Sequence, residues 1–326
     1  MPPRPEFETL RLSCVMPAYN EAQNLPTVVP QVLQSLRQLA GQVELVLVND
    51  GSRDHTAEVA RALCAQDSAV VLLDLSRNFG KEAALTAGLQ AASGDVVVMM
   101  DADGQHPTDL LAPMLQKWRE GMDVVYAVRQ TREDQSALHG QLTGWFYKLV
   151  NWGNRIEIPA DAGDFRLMDR RAVDALNALP ERNRFMKGLY AWVGFPSVAV
   201  AYTPLPRLGG ETSFGLRGAF SLAMTGMLAF STAPLRLLTL FGLVLSFIAL
   251  AYGGWVVVEY FLWGIQVPGY ATIVVSVMFF SGIQLFALGV MSAYVARIYE
   301  EVKQRPLYLV KARHGQGLAA RKDTRA

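Results

Sequence analysis

Residues 95–107 read DVVVMMDADGQHP, an apolar run that passes directly into a cluster of acids. We predict that Asp95–Met100 is a strand buried on both faces, because uninterrupted Val and Met residues are typical of a parallel sheet covered by helices. Asp101 and Asp103 then follow its carboxyl end and share a face, since side chains alternate along a strand. Their carboxylates can converge on Mg²⁺ or Mn²⁺, with Gln105 as a further oxygen ligand. A helix-capping turn is the alternative interpretation of so short a pair.

Similar apolar runs recur along the chain before and after this stretch, and they alternate with helical stretches. The other strands are predicted at Leu12–Pro17, Val43–Asn49, Val70–Leu75, Val124–Val128 and Val198–Tyr202. The helices are predicted at Leu25–Ala40, Thr56–Gln66, Lys81–Ala92, Leu110–Glu120 and Leu142–Trp152. This alternation predicts an α/β fold with a mostly parallel, Rossmann-like sheet covered on both faces. Ligands of such sheets bind outside the carboxyl ends of the strands.

The composition excludes several classes of protein. The chain has 326 residues, a formal net charge of +1, 18% charged residues and 51% hydrophobic residues. This balance excludes intrinsic disorder and argues against nucleic acid as a partner, which needs a basic surface. Two cysteines and four histidines without ligand spacing argue against a disulfide framework and a zinc site. Met1–Leu12 lacks the apolar core of a signal peptide.

Polar residues also follow the other predicted parallel strands. The first strand ends in PAYNE, the second in NDGSRD and the third in SRNFGK. None of these loops is the G-x-G-x-x-G of a dinucleotide-dependent oxidoreductase, and no P-loop motif occurs. Asp50 suits a hydrogen bond to a base or a ribose hydroxyl, and Tyr19 offers an aromatic face to a base. Asp54 is interpreted as a helix N-cap and Gly51 as the mark of a tight turn.

Two long apolar segments lie near the C-terminus. Leu237–Leu262 has 26 residues with one charge, and Thr272–Ala296 has 25 residues with none. Each is long enough to cross a hydrocarbon core as a tilted helix, which needs about 20 apolar residues. A pair of buried core helices is the alternative, although such helices usually carry a polar stripe. Lys and Arg flank the pair but are absent from its connection, so the positive-inside rule places both flanks in the cytoplasm.

The predicted organisation follows from these segments. Leu216–Phe230 has apolar residues along one helical face, which fits either an interfacial helix or a helix packed on the soluble domain. The residues from Arg297 onward are basic, which suits either anionic lipid headgroups or a solvated tail. The predicted parts are an N-terminal tail at 1–11, an α/β domain at 12–214, a juxtamembrane interfacial helix at 215–235, a transmembrane hairpin at 236–297 and a basic cytoplasmic tail at 298–326.

A family resemblance rests on the ordered motifs PAYNE, NDGSRD, SRNFGKEAAL, DADGQHP and GDFRLM, followed by the two apolar segments. From Leu12 to about Tyr308 the chain resembles the polyprenyl-phosphate glycosyltransferases, inverting family-two enzymes that include bactoprenol glucosyltransferases and relatives of dolichol-phosphate mannose synthase. The resemblance implies a GT-A fold, a nucleotide-diphosphate-sugar donor with UDP-glucose favoured, a membrane polyprenyl (undecaprenyl) phosphate acceptor, and Mg²⁺ or Mn²⁺ as cofactor. It implies a multi-pass protein of the bacterial inner membrane with a cytoplasmic catalytic domain. The oligomeric state is left open, with a dimer and a tetramer as the alternatives.

The resemblance also implies roles for particular residues. Nucleotide-sugar contacts fall on Pro17, Tyr19, Glu21, Asp50, Lys81, Asp101 and Ala102. Metal ligands fall on Asp101, Asp103 and Gln105, and catalytic residues on Asp103, Asp164 and Arg207. The residues implied to bind the acceptor phosphate are Arg129, Arg132, Arg207 and Ser213. Ser213 stands where the family usually has Lys, and Arg132 or Lys148 is expected to compensate.

The mechanism predicted from these roles is attack by the acceptor phosphate on the anomeric carbon, with inversion. A phosphate monoester is largely dianionic at cytoplasmic pH, so it needs little help from a base. Asp164 is therefore interpreted as orienting the donor sugar or the acceptor. A general base and a structural partner of Arg166 or Arg170 are the alternatives. Two rival functions are a glycosyltransferase with a non-lipid acceptor and a catalytically idle membrane scaffold that binds a nucleotide-sugar.

Overall fold

The computed structural model describes residues 4–129, 162–182, 184–206, 233–263 and 269–319. Within these ranges the chain carries one sheet of eight strands in the order β7-β5-β6-β4-β1-β2-β3-β8. The strands are β1 Arg11–Ala18, β2 Gln42–Asn49, β3 Val70–Leu75, β4 Val96–Met99, β5 Val124–Arg129, β6 Ala162–Asp169, β7 Ser197–Tyr202 and β8 Val310–His314. The helices predicted at Leu142–Trp152 and Leu216–Phe230 lie outside the described residues.

All six predicted strands are present, and they run in the same direction. β1 pairs in parallel with β2 and β4, β2 pairs in parallel with β3, and β5 pairs in parallel with β7. The two strands that the sequence analysis did not predict, β6 and β8, are the antiparallel ones. The prediction of a mostly parallel sheet is therefore confirmed.

Helices cover both faces of the sheet. They are α1 Leu25–Arg37, α2 Thr56–Gln66, α3 Lys81–Ala91, α4 Leu111–Arg119, α5 Arg170–Asn177 and α6 Met186–Trp192. Cys14 and Met16 on β1 pack into a core with α1, α2 and α4, whereas Val15 between them packs into a second core with α3, α5 and α6. Both faces of β1 are thus buried, which explains why its sequence is apolar without alternation.

The antiparallel direction of β6 decides where its acid lies. Val98 of β4 pairs with Leu167 and Met99 pairs with Arg166. Continuing this register by two residues on each strand brings Asp101, which follows β4, opposite Asp164. The start of β6 therefore lies at the edge of the sheet where the parallel strands end, and it adds a carboxylate to the loops gathered there.

The chain returns to the sheet after the apolar helices. β8 lies antiparallel to β3, and the carbonyl of Leu309 accepts a hydrogen bond from the Ser76 N–H at 2.9 Å. Farther on, the Leu318 N–H donates to Oε2 of buried Glu44 at 2.9 Å. Residues 309–318 thus belong to the sheet and to its supporting contacts, although the sequence analysis predicted only a basic tail in this region.

The two apolar segments form long helices, α7 Ala233–Trp263 and α8 Tyr270–Val302. Within them, Leu237–Val256 and Val275–Val302 are long and apolar enough to cross a membrane. Their side chains face outward, with Phe261 80% exposed and Leu250 76% exposed. This exposure rules out a pair of buried core helices for the described residues, because core helices lose most of their apolar surface on packing.

We predict that Gly88→Ala destabilises the α/β domain. Alanine normally favours a helix over glycine by about 1 kcal/mol, but a Cβ at Gly88 of α3 would lie 2.2 Å from Cγ1 of Val15. Overpacking of this kind costs about 1–3 kcal/mol, so the melting temperature should fall.

Thermal unfolding of the purified protein measures this effect, and a Val15→Ala/Gly88→Ala double variant should recover part of the loss. Gly253→Ala in α7, where a Cβ meets nothing within 4 Å, is the matched control. A Gly88→Ala variant that melts at a higher temperature than the wild type would contradict this packing argument.

Candidate active site

One lysine joins two of the predicted site acids. Nζ of Lys81, the first residue of α3, lies 2.7 Å from Oδ1 of Asp101 and 2.8 Å from Oδ2 of Asp164. The two acids come from neighbouring strands, β4 and β6, and α3 places the ammonium between them. The structure therefore brings together two residues predicted to contact the nucleotide-sugar, Lys81 and Asp101, and the predicted catalytic residue Asp164.

These ion pairs control the protonation of Asp164. Burial alone would raise the pKa of this carboxyl, but the charge and hydrogen bond of Lys81 outweigh burial and hold it at about 2. Burial would conversely lower the pKa of Lys81, and the two carboxylates raise it above its ordinary value. Asp164 is thus ionised at neutral pH, and so low a pKa makes it a weak base.

Asp50 holds the loop that leads to Lys81. Its Oδ1 accepts from the Phe79 N–H at 2.7 Å, and its Oδ2 accepts from the Gly80 N–H at 2.9 Å. Gly51, with φ of 61°, lets the two loops touch, since a Cβ there would lie 2.3 Å from the carbonyl carbon of Arg77. Gly51 therefore serves a close approach as well as the turn predicted from sequence. The contact of Asp50 with a nucleotide stays a prediction.

The loops after β1 and β2 are joined by hydrogen bonds. Asn20, at φ of 57°, donates its N–H to Oγ of Ser52 and accepts from the Arg53 N–H through Oδ1, each at 2.9 Å. The N-cap residue of α2 is His55, so the prediction of Asp54 as the N-cap is wrong by one position. Asp54 instead accepts from the Thr56 N–H at 3.0 Å from just outside the helix. Tyr19 is 40% exposed at the edge of this joined surface.

The remaining predicted nucleotide-sugar residues lie on the same edge. Pro17 is half-buried near the end of β1, and Ala102 is buried between the two acids of the DAD motif. Oε2 of Glu21 accepts from Nδ2 of Asn24 at 2.6 Å. The structure thus supports a shared location for these residues, while their contacts with a donor stay predictions.

The turn after β4 arranges the predicted metal ligands. Oδ1 of buried Asp103 accepts from the Gln105 N–H at 3.0 Å. The Asp101 N–H donates to Nδ1 of His106 at 3.1 Å, and the imidazole ring stacks on Phe165 with centroids 4.6 Å apart. Burial lowers the pKa of His106 against the opposing charges of Asp101 and Asp103. A neutral His106 thus supports the turn that presents both acids.

The donor set of this turn suits a small hard cation. Among the described residues there is no group of three His, Cys, Asp or Glu side chains arranged to hold a metal. Mg²⁺, however, keeps several waters and binds proteins through one or two carboxylates together with substrate phosphates. Asp101, Asp103 and the amide oxygen of Gln105 are of the right chemistry for such an open site.

Two residues that interact with Asp164 through charge were not among the predicted site residues, although Arg166 was named as an alternative partner of Asp164. Arg166 is buried, and its guanidinium carbon lies 3.6 Å from the ring centroid of Tyr190. Its Nη2 donates to the Gly163 carbonyl at 2.9 Å. Glu82, next to Lys81, accepts from the Met186 N–H at 3.3 Å, and burial, together with the charge of Asp164, raises its pKa to about 7. The only sequence signal for either residue is its place inside a quoted motif.

Of the two arginines named as alternative partners of Asp164, Arg166 acts on it through charge and adds to the effect of Lys81 in lowering the pKa of Asp164, but the described contacts include no hydrogen bond or ion pair between the two side chains. Arg170 donates instead to the carbonyls of Gly94 and Ala92. The direct ion pair of Asp164 is with Lys81.

The predicted acceptor residues are described only in part. Arg129 ends β5 with an exposed side chain, and its Nε lies 3.4 Å from the Tyr202 hydroxyl. Arg132, Lys148, Arg207 and Ser213 lie outside the described residues. The Leu205 N–H donates to the Gln105 carbonyl at 3.0 Å, so the last described residues before Arg207 run beside the DADGQ turn.

Comparison with known proteins agrees with this geometry. The sequence pattern of Glycosyl transferase family 2 matches residues 13–176, which include the loops after β1, β2, β3 and β4 and the start of β6. The chain belongs to this family. The GT-A-type α/β fold expected of this glycosyltransferase is thereby confirmed.

Several proteins resemble this glycosyltransferase along nearly its whole length. An uncharacterized glycosyltransferase of Synechocystis is 42% identical over 93% of this chain and 95% of the relative. The SfII prophage-derived bactoprenol glucosyl transferase of Shigella flexneri is 40% identical over 94% of this chain and 99% of the relative. The prophage bactoprenol glucosyl transferase homolog of Escherichia coli K12 is 39% identical over 93% of this chain and 99% of the relative.

Solved structures match more weakly. Glucosyl-3-phosphoglycerate synthase from Mycobacterium tuberculosis, in complex with Mn²⁺, UDP-glucose and phosphoglyceric acid, matches with a TM-score of 0.46 and 21% identity. The match covers 67% of this chain and 78% of that one. At this score it adds nothing to the assignment made from the sequence relatives.

We predict that Glu82 makes stability depend on pH near neutrality. Its folded pKa of about 7 exceeds the ordinary 4.5, so between these values the folded state keeps a proton that the unfolded state releases. The stability of the wild type should therefore fall as pH rises through this window, by an amount on the order of 1–3 kcal/mol. A Glu82→Gln variant lacks this ionisation and should gain stability relative to the wild type from pH 5 to pH 8.

Thermal unfolding across this pH range measures the difference. Glu8→Gln, at an exposed position, is the control and should show no such trend. A Glu82→Gln difference that is constant from pH 5 to pH 8 would refute the buried, protonated state of Glu82.

Proposed function

We propose that this glycosyltransferase transfers a sugar, with inversion, from a nucleotide-diphosphate-sugar to a membrane polyprenyl phosphate at the cytoplasmic leaflet. The observation that carries the proposal is the meeting of Asp101 and Asp164 at the carboxyl edge of the sheet, in a chain that also bears two exposed apolar helices. The first feature suits a diphosphate leaving group, and the second suits an acceptor that stays in the bilayer.

The donor is proposed to bind across the strand-end loops. Ligands of open α/β sheets lie outside the carboxyl ends of the strands, and here that edge carries Tyr19, Asp50, Lys81 and Asp101. The exposed ring of Tyr19 is available for stacking on a base, and the joined loops after β1 and β2 form a fixed surface beside it. UDP-glucose is the favoured donor, because relatives that cover almost the whole chain are named bactoprenol glucosyl transferases.

The leaving diphosphate needs positive charge beside Asp101 and Asp103. A divalent cation bound by these carboxylates and Gln105 would supply it by neutralising the phosphate oxygens. The hydrogen bond from the Gln105 N–H holds the carboxylate of Asp103, and the one from the Asp101 N–H to His106 holds the backbone of the turn. The protein's part is thus to present the ligands in a turn that is already formed.

Asp164 is proposed to orient the donor sugar or the acceptor. With a pKa of about 2, it stays ionised but accepts a proton poorly, so it does not suit the role of general base. The acceptor phosphate is largely dianionic already and requires positioning more than deprotonation. Arg129, together with Arg132, Arg207 and Ser213 outside the described residues, is proposed to hold this phosphate by charge-assisted hydrogen bonds.

The membrane placement is proposed from the connection between α8 and the catalytic domain. Both oxygens of Glu301, in the last turn of α8, accept from the Arg182 N–H, at 2.9 and 3.1 Å. Tyr308 then donates its hydroxyl hydrogen to Oε1 of Gln90 on α3 at 2.5 Å. The end of the second apolar helix is therefore fixed to the helix that carries Lys81. Together with the basic flanks, this supports a bacterial inner-membrane protein whose site faces the cytoplasmic leaflet.

The test is transfer of labelled sugar in membranes that contain the full chain. Incubation with a panel of labelled nucleotide-sugars should give a labelled, organic-extractable polyprenyl-phosphate sugar, with UDP-glucose the best donor. Excess chelator should abolish the product and Mn²⁺ or Mg²⁺ should restore it, because the leaving diphosphate then regains its counter-charge.

Asp101→Asn should lower turnover at least about 100-fold, as expected when transition-state electrostatics are lost. Asp109→Asn, beyond the turn, is the matched control and should leave turnover unchanged. Label that appears only in soluble sugar or protein would favour the non-lipid acceptor. Neither transfer nor hydrolysis with any donor would favour the idle scaffold. Full activity in chelator would contradict the metal assignment alone.

A further inference from the structure

Lys81 occupies an unusual position for a cation. It is the first residue of α3, where the positive end of the helix dipole disfavours a positive charge. The backbone just before Lys81 is fixed, because the Asp50 carboxylate accepts hydrogen bonds from the N–H groups of Phe79 and Gly80. The ammonium is nevertheless directed onto Asp101 and Asp164 at 2.7 and 2.8 Å, so these two carboxylates decide where it lies.

The ion pairs are accessible from solvent and can be exchanged. The side chain of Lys81 is 42% exposed, that of Asp101 is 29% exposed and that of Asp164 is 22% exposed. A lysine ammonium on its flexible stem moves by rotation about side-chain bonds alone. Lys81 can therefore leave Asp101 without any change in the backbone that Asp50 holds.

We propose that Lys81 is a positioning residue that occupies Asp101 until the donor arrives and then transfers to the donor diphosphate. This inference rests on the proposed function, since it assigns Asp101 to a divalent cation. The ammonium and the cation compete for the same carboxylate, so the donor-free enzyme binds the cation weakly. The diphosphate offers Lys81 a new anionic partner and frees Asp101. Cation and nucleotide therefore bind cooperatively, each raising the affinity of the other by the same factor.

Lys81 also stabilises the two carboxylates before the donor binds. Asp101 and Asp164 are carboxylates from adjacent strands, and without a cation between them their charges would repel. Lys81 supplies that cation and keeps both acids oriented before the donor binds. Its departure from Asp101 is compatible with continued contact to Asp164, so the orientation of Asp164 persists when the site fills.

The experiment measures Mn²⁺ affinity of the full-length, detergent-solubilised protein by calorimetry, with and without UDP. In the wild type, UDP should raise Mn²⁺ affinity about tenfold or more, within the usual range of coupling between sites. Lys81→Met should bind Mn²⁺ at least about fivefold more tightly without UDP, and the further gain from UDP should shrink to a few-fold. Lys81→Gln serves as a second variant in case the Met side chain disturbs folding.

Lys187→Met is the matched control, because Lys187 acts on Asp164 and Glu82 only through its charge. It removes one positive charge from the neighbourhood but should leave the effect of UDP on Mn²⁺ affinity unchanged. Lys81→Arg, which keeps the charge, should preserve the weak donor-free binding of Mn²⁺.

Two results would overturn the inference, and they separate it from the proposed function. Lys81 variants with wild-type Mn²⁺ affinity and wild-type coupling to UDP, in an enzyme that does bind Mn²⁺ with UDP, would refute the competition and leave the proposed function standing. A wild type that binds no Mn²⁺ even with UDP would refute both the competition and the metal part of the proposed function.

Discussion

The ion pairs of Lys81 with Asp101 and Asp164 are the contacts on which the rest of the site depends. They exist because β6 runs antiparallel between β4 and β5, which brings the start of β6 to the edge where the parallel strands end. A parallel β6 would place Asp164 at the opposite edge of the sheet. The direction of one strand thus decides that a third carboxylate joins the DAD turn, and a cation must then lie among these like charges.

Most of the fold could be predicted from sequence because its parallel strands are continuous apolar runs, and such runs are a strong signal for strands buried on both faces. β6 was not predicted, because its sequence, AGDFRLMD, has glycine and charged residues where a buried strand usually has Val or Leu. Arg166 is buried there beside Tyr190, an arrangement that depends on tertiary contacts. β8 was not predicted either, because its sequence, VKARH, is short and basic. This segment forms a strand through its pairing with β3.

The site was predictable as a place but not as a set of contacts. The polar loops after successive parallel strands had to meet at one edge, and Tyr19, Asp50, Asp101 and Asp103 do lie there. The link between Lys81 and Asp164 gives no local sequence signal, since the two residues are distant in the chain. The same holds for the raised pKa of Glu82, which results from burial and the nearby charge of Asp164.

The C-terminal segment connects membrane and chemistry. After α8 the chain contacts α3 through Tyr308, the loop after β3 through Leu309 and the sheet through β8. These contacts fix the catalytic domain near the end of a helix suited to the bilayer, and the lipid acceptor proposed above would then be at high effective concentration. This segment thus has a structural role in addition to any contact of its basic residues with lipid.

The most direct measurement is the position of Mn²⁺ by anomalous scattering in crystals of the full chain with UDP and Mn²⁺. The account predicts one anomalous peak between the carboxylates of Asp101 and Asp103 and the diphosphate, with Lys81 turned from Asp101 toward a phosphate oxygen. A diphosphate bound away from the carboxyl edge of the sheet, or with no cation on either acid, would contradict it.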